Sequence, residues 1–131
     1  MYFDLVMALD VVEHIEDYFT FLRKFRTKGK YKLIQVPLGL FLLKILCANG
    51  FAKERKAHGH IHYFTKEIFF SILEDVGYKV IDWEYLPKRL EVPNTGKLAK
   101  GLKIPRKILA GLSTNLSAKI LGGFSLSVLA V

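Results

Sequence analysis

Near the start of the chain, Asp10, Glu13 and His14 fall within one short segment, Ala8-Leu9-Asp10-Val11-Val12-Glu13-His14-Ile15. Two carboxylates and an imidazole at this spacing can orient a polar ligand, move a proton or hold a cation. A second group follows at His58, His60 and His62, which alternate, so an extended backbone puts all three rings on one face. Three such rings suggest zinc, but structural zinc sites add thiolates or a distant fourth ligand, and Cys47 is the only cysteine. A better functional reading has His60 or His62 removing a proton from an acceptor, since an imidazole titrates near neutrality. The alternative is that both rings only bond backbone at the entry to the next helix.

These residues need elements to position them. Phe3 to Leu9, FDLVMAL, is a nearly continuous apolar run ending at Asp10, as a parallel strand buried on both faces requires. Such a strand needs neighbours on both sides, and nothing precedes it, so the sequence reads as part of a larger domain. Asp17 to Lys28 is expected to be helical, with Phe21, Leu22 and Phe25 at helical spacing and Gly29 as its C-terminal cap. Tyr31 to Val36 is a second strand, stopped by Pro37, which completes a strand–helix–strand unit. Asp10, Glu13 and His14 then lie at the carboxyl end of the first strand, where open α/β sheets present ligand-binding loops.

Residues 38–62 are expected to form an irregular insertion or lid over that edge. Thr65 is a helix N-cap, Ile68, Ile72 and Val76 form one stripe, and Gly77 ends the helix. Tyr78 to Leu86 reads as a strand, Leu86 to Pro105 as a connection, Ile104 to Leu121 as one helix, and Phe124 to Val131 as a last strand.

The composition sets outer limits. The 131 residues are 51% hydrophobic and carry 20 Lys+Arg against 12 Asp+Glu, a net charge of +8. A chain this apolar can offset its ordering entropy by burial, which excludes disorder. No secretory leader is visible and the lone cysteine suits a reducing compartment, so a cytoplasmic protein is expected. The longest apolar run, Pro37 to Ile45, contains Lys44 and is far too short to span a bilayer, and Lys119 interrupts the apolar C-terminal stretch, although contact with a membrane surface is open to either segment. The basic clusters are consistent with a solvated face. No stacking-aromatic signature supports RNA binding.

The segment FDLVMALDVVEHIED resembles the fourth strand and following loop of class I S-adenosylmethionine-dependent methyltransferases. The resemblance continues through YKLIQVP, Gly59-His60-Ile61-His62-Tyr63-Phe64-Thr65, the helix ending LEDVGY, and a closing pair of strands, so it covers essentially the whole chain. It implies an α/β, Rossmann-like methyltransferase sheet in a three-layer αβα arrangement, of which residues 1–131 hold the last four strands, the final one antiparallel. It also implies S-adenosylmethionine as cofactor, with Ala8, Leu9, Asp10 and Val11 lining its methionine and adenosine side and Glu13 and His14 at the mouth of the acceptor pocket. The acceptor expected is a small molecule, lipidic or anionic, methylated on a hydroxyl oxygen, with His60, His62 and His14 as candidate bases.

In quinone-pathway members the matching acidic-x-x-Glu-His residues hold a divalent metal. Asp10, Glu13 and His14 retain that pattern, although no metal is expected here, since Asp10 can equally cap a turn while Glu13 and His14 orient the next helix. The family's glycine-rich loop and the acidic residue ending its second strand have no counterpart in this sequence. The chain therefore reads as the C-terminal half of such an enzyme, inactive alone and in need of an N-terminal half. A rival expectation is a non-catalytic interaction module that uses an exposed sheet edge and a basic face.

Overall fold

A computed structural model describes residues 1–46, 49–87 and 103–131; Cys47 and most of the connection expected over Leu86 to Pro105 lie outside them. Four strands, β1 (Phe3–Leu9), β2 (Gly29–Pro37), β3 (Val80–Leu86) and β4 (Ser125–Ala130), form one mixed sheet in the order β1-β2-β4-β3. β1 and β2 run parallel, and β4 enters antiparallel between β2 and β3. The expected last four strands are therefore present, with the final one reversed.

Asp17 starts α1 (Tyr18–Arg26), its side chain accepting the Thr20 amide at 3.0 Å. The helix ends at Thr27 rather than running to Lys28, so Gly29 is not its cap. Gly29 begins β2 instead, where a Cβ would come within 2.9 Å of the Phe3 carbonyl on β1. Residues 38–62, expected to be irregular, contain two short helices, α2 (Leu42–Leu46) and α3 (Gly50–His58). Thr65 caps α4 (Lys66–Val76) by accepting the Ile68 amide, and Gly77 closes it at φ +91°, as the sequence predicts. The single helix expected from Ile104 to Leu121 is two, α5 (Lys103–Leu112) and α6 (Thr114–Ile120). Ser113 interrupts it in an extended conformation and accepts the Leu116 amide.

One face of the sheet is well covered. Ile34, Val36, Leu126 and Val128 pack with Leu22 of α1, with Phe69, Ile72 and Leu73 of α4, and with Ala118 of α6. Arg26 fastens α1 to the end of α4 by donating to the Val76 and Gly77 carbonyls, each at 2.9 Å. Tyr78 donates to the Leu22 carbonyl at 2.8 Å, and burial holds its phenol far above its ordinary pKa. The opposite face at β1 is bare among the described residues. Phe3, Leu5, Met7 and Leu9 point there and are 46% to 58% exposed, so the third layer of the expected αβα arrangement is not supplied on that flank.

Candidate functional site

At the carboxyl ends of β1 and β2 lies a cavity of about 260 Å³. Its walls come from the turn after β1 (Asp10, Glu13, His14), the turn after β2 (Pro37 to Gly39, Phe41), α3 and its end (Glu54, His58, His60), and the start of β4 (Gly123 to Ser125).

The turn after β1 is built by Asp10, whose φ of +54° swings the chain out of the strand. Aspartate tolerates this region better than most residues. Its amide donates to the Gln35 carbonyl at 3.0 Å, and the Gln35 amide side chain donates to its carboxylate at 3.3 Å. One 3-10 turn, Val12–His14, follows; Val12 plunges into the core and leaves Glu13 fully buried beside the cavity. The Glu13 carbonyl accepts the Ile61 and His62 amides at 3.0 and 3.2 Å, which stitches the histidine segment to this turn.

The backbone keeps the three alternating histidines off a single face. His58 ends α3 and Gly59 turns the chain at φ +70°, so the extended run that the alternation presupposes never forms. His60 faces the cavity, its ring 4.9 Å from that of His14 and 5.8 Å from that of His58, with Nδ1 3.7 Å from Glu54 Oε1. Burial, then the neighbouring His14, His58 and Lys44, lowers the His60 pKa and favours the neutral ring. His62 points elsewhere. Its Nε2 lies 2.9 Å from the Ile15 carbonyl and its ring meets Tyr18 edge-on at 4.7 Å, so it binds the segment to the base of α1.

His14 Nδ1 donates to the Gly59 carbonyl at 3.0 Å, and its Nε2 lies 3.7 Å from Glu13 Oε1. Glu13, His14 and His60 each offer one ligand atom within 4.8 Å of the others. Of the three residues that keep the quinone-pathway metal pattern, where no metal was expected, Glu13 and His14 are in this group, and His60 rather than Asp10 is the third. Of the four expected along the cofactor, Asp10 lines the cavity, Ala8 is buried in the sheet, and Leu9 and Val11 are exposed outside it.

Sequence reasoning missed the ion pair that joins the two helices of residues 38–62. Lys44 of α2 forms a buried ion pair with Glu54 of α3, and its ammonium sits over the rings of Phe41, Phe51 and Tyr63 at 5.6, 5.0 and 4.7 Å. The Tyr63 hydroxyl bonds the Phe51 and His60 carbonyls at 3.0 and 3.2 Å, which fixes α3 to the histidine segment. A Cβ on Gly122, at φ +63°, would collide with the Phe41 ring, so the glycine lets that ring close the cavity. Two signals were available: Lys44 is the one charge in LGLFLLKIL, and Glu54 is the one acidic residue between Asp17 and Glu67. A lone charge within an apolar run calls for a buried partner.

No family model and no curated protein matches this sequence. Among solved structures, a SAM-dependent methyltransferase from Archaeoglobus fulgidus is 22% identical, with a TM-score of 0.53 over 97% of this chain and 58% of that one. An S-adenosylmethionine-dependent methyltransferase from Mesorhizobium loti is 12% identical, with a TM-score of 0.54 over 97% of this chain and 60% of its own. The phosphoethanolamine N-methyltransferase 2 of Haemonchus contortus, solved with S-adenosyl-L-methionine, is 17% identical, with a TM-score of 0.53 over 98% of this chain and 33% of its own. The fold is thus class I methyltransferase-like and Rossmann-like, and the chain spans about three fifths of the length of the first two structures.

Proposed function

We propose that this chain forms the acceptor-side, C-terminal part of a domain that transfers a methyl group from S-adenosylmethionine to a small molecule. The observation that carries the reading is His60, a histidine held toward its neutral form on the wall of a cavity at the carboxyl ends of two parallel strands. The fold likeness supports the cofactor class. The bare β1 flank and the absent glycine-rich loop support a cradle completed by other residues.

When bound, S-adenosylmethionine supplies a methyl group already activated by its sulfonium, so this chain's work is to orient the acceptor and take its proton. Asp10 and the turn it creates border the cofactor, with Ala8 and Leu9 at the end of β1 before it and Val11 just after it. The insertion of residues 38–62 covers the acceptor. His60 Nδ1 faces Glu54, which leaves Nε2 to accept the proton of a hydroxyl acceptor. His14 and His62 position this segment through the Gly59 and Ile15 carbonyls. Asp10 and Glu13 on the wall, with Glu54 already paired to Lys44, favour a neutral or cationic acceptor over an anionic one, while Lys53, Arg55 and Lys56 are exposed on α3 and do not line the cavity.

The convergence of Glu13, His14 and His60 supports a second reading, a divalent cation bound between them. Manganese titration of the chain and its Glu13→Gln variant tests this: saturable heat lost in the variant supports it, and no heat in either removes it.

The main reading is tested in the complete domain. His60→Ala lowers kcat by about a hundredfold with cofactor affinity held, and the loss shrinks at high pH, where the acceptor ionises unaided. An unchanged kcat would remove His60 from the mechanism and leave His14 as the candidate base.

A further inference from the structure

Helix α5 is apolar on two sides. Leu109 and Ala110 turn inward, Ala110 packing against the core, whereas Ile104, Ile108 and Leu112 recur four residues apart and are 70%, 62% and 80% exposed. A stripe of three large aliphatic side chains left in water is not what an ordinary surface helix presents. Pro105, near the first turn, costs the helix no hydrogen bond, so the stripe sits on a well-formed helix.

The charges that the sequence puts on α5 have one sign. From residue 92 to the end at 131 the sequence has no Asp or Glu, while Lys97, Lys100, Lys103, Arg106, Lys107 and Lys119 are basic. Lys107 is exposed on α5 itself, between Ile104 and Ile108. The helices nearest to it continue the pattern. Both α5 and α2 pack on α6, and on α2 Ile45 and Leu46 are 57% and 72% exposed. A protein partner would have to meet an aliphatic ridge on a helix whose only charges are basic, since Lys119 of α6 is already held by Glu67 at 2.7 Å. An anionic bilayer surface offers both complements, with acyl chains beneath phosphates.

We propose that α5 is an interfacial helix that seats the Ile104–Ile108–Leu112 stripe on an anionic lipid surface, with Lys107 at headgroup level. No helix among the described residues is long and apolar enough to cross a membrane, so the contact is peripheral. The inference does not rest on the methyltransferase reading.

The test is co-sedimentation of the full chain with phosphatidylcholine vesicles and with vesicles in which a quarter of the lipid is phosphatidylglycerol. Binding to the anionic vesicles, weakened by high salt, is expected. The triple variant Ile104→Ser, Ile108→Ser, Leu112→Ser should lose about tenfold or more of that binding while its thermal midpoint holds, since the replaced side chains are exposed. Lys107→Glu should weaken binding to anionic vesicles and leave any residual binding to neutral ones unchanged. The proposal is overturned if the triple variant binds as well as the parent, or if neutral and anionic vesicles bind alike. It is also overturned if the parent ignores vesicles and self-associates through the stripe, seen as dimers that the triple variant dissolves.

Discussion

Replacing His62 with Ala separates a scaffolding histidine from a catalytic one by stability alone. The native ring makes one good hydrogen bond, Nε2 to the Ile15 carbonyl at 2.9 Å, with the Glu16 carbonyl further off at 3.3 Å. It also meets Tyr18 edge-on at 4.7 Å. A net hydrogen bond contributes about 1 kcal/mol and an edge-to-face ring pair about 1 kcal/mol. His62 is only half-buried, so water replaces part of the first contribution, and the expected loss is about 1.5 kcal/mol. For a chain of this size that lowers Tm by roughly 5 °C. Urea unfolding followed by circular dichroism and by the single tryptophan, Trp83, measures it, with an unchanged m-value as the check that the denatured state is the same. His60→Ala should cost less, because the nearest charged partner of its ring, Glu54, stands at 3.7 Å, beyond hydrogen-bond reach. Stability of His62→Ala within about 0.5 kcal/mol of the parent would refute the anchoring role, as would a His60→Ala that loses more than His62→Ala.

Two further outcomes follow from the fold. The bond from the Thr20 amide holds the Asp17 carboxyl below its ordinary 3.8, so its stabilising effect is present above that pH and is lost as the pH falls through the lowered value. Asp17→Asn keeps an N-cap and removes the titration, so urea midpoints measured down the acid limb should fall less steeply than in the parent; identical slopes would contradict the cap's part in acid sensitivity. Met7→Lys, on the bare face of β1, should reduce concentration-dependent association in sedimentation experiments without lowering Tm, since Met7 is 58% exposed; undiminished association would place the sticky surface elsewhere.

Much of this was legible where local chemistry and tertiary packing agree. FDLVMAL is a strand because its apolar run suits a sheet, and Asp17 and Thr65 are caps and Gly77 a left-handed stop because each satisfies a backbone need within four residues. The failures share the opposite cause. Gly29 carries the residue type of a helix cap, yet its place is set by the close passage of β1. Ile104 to Leu121 keeps an apolar period across Ser113, so periodicity hides the break that the Ser113 side chain makes by capping α6. The histidine alternation means one face only if the backbone stays extended, and Gly59 ends that. The Lys44–Glu54 pair joins two helices of the insertion; each lone charge signals a partner, but no local pattern sets the path that brings the two together.

The central claim, that the carboxyl end of β1 borders a methyl-donor site of which this chain supplies one side, is tested most directly by titrating the isotopically labelled chain with S-adenosylhomocysteine and following its amide resonances. The account predicts progressive shifts confined to Ala8 through His14 and the residues across the cavity, still unsaturated at millimolar ligand because part of the cradle is absent. Shifts confined to residues away from that cavity, no shifts at millimolar ligand, or saturation at micromolar ligand would contradict it.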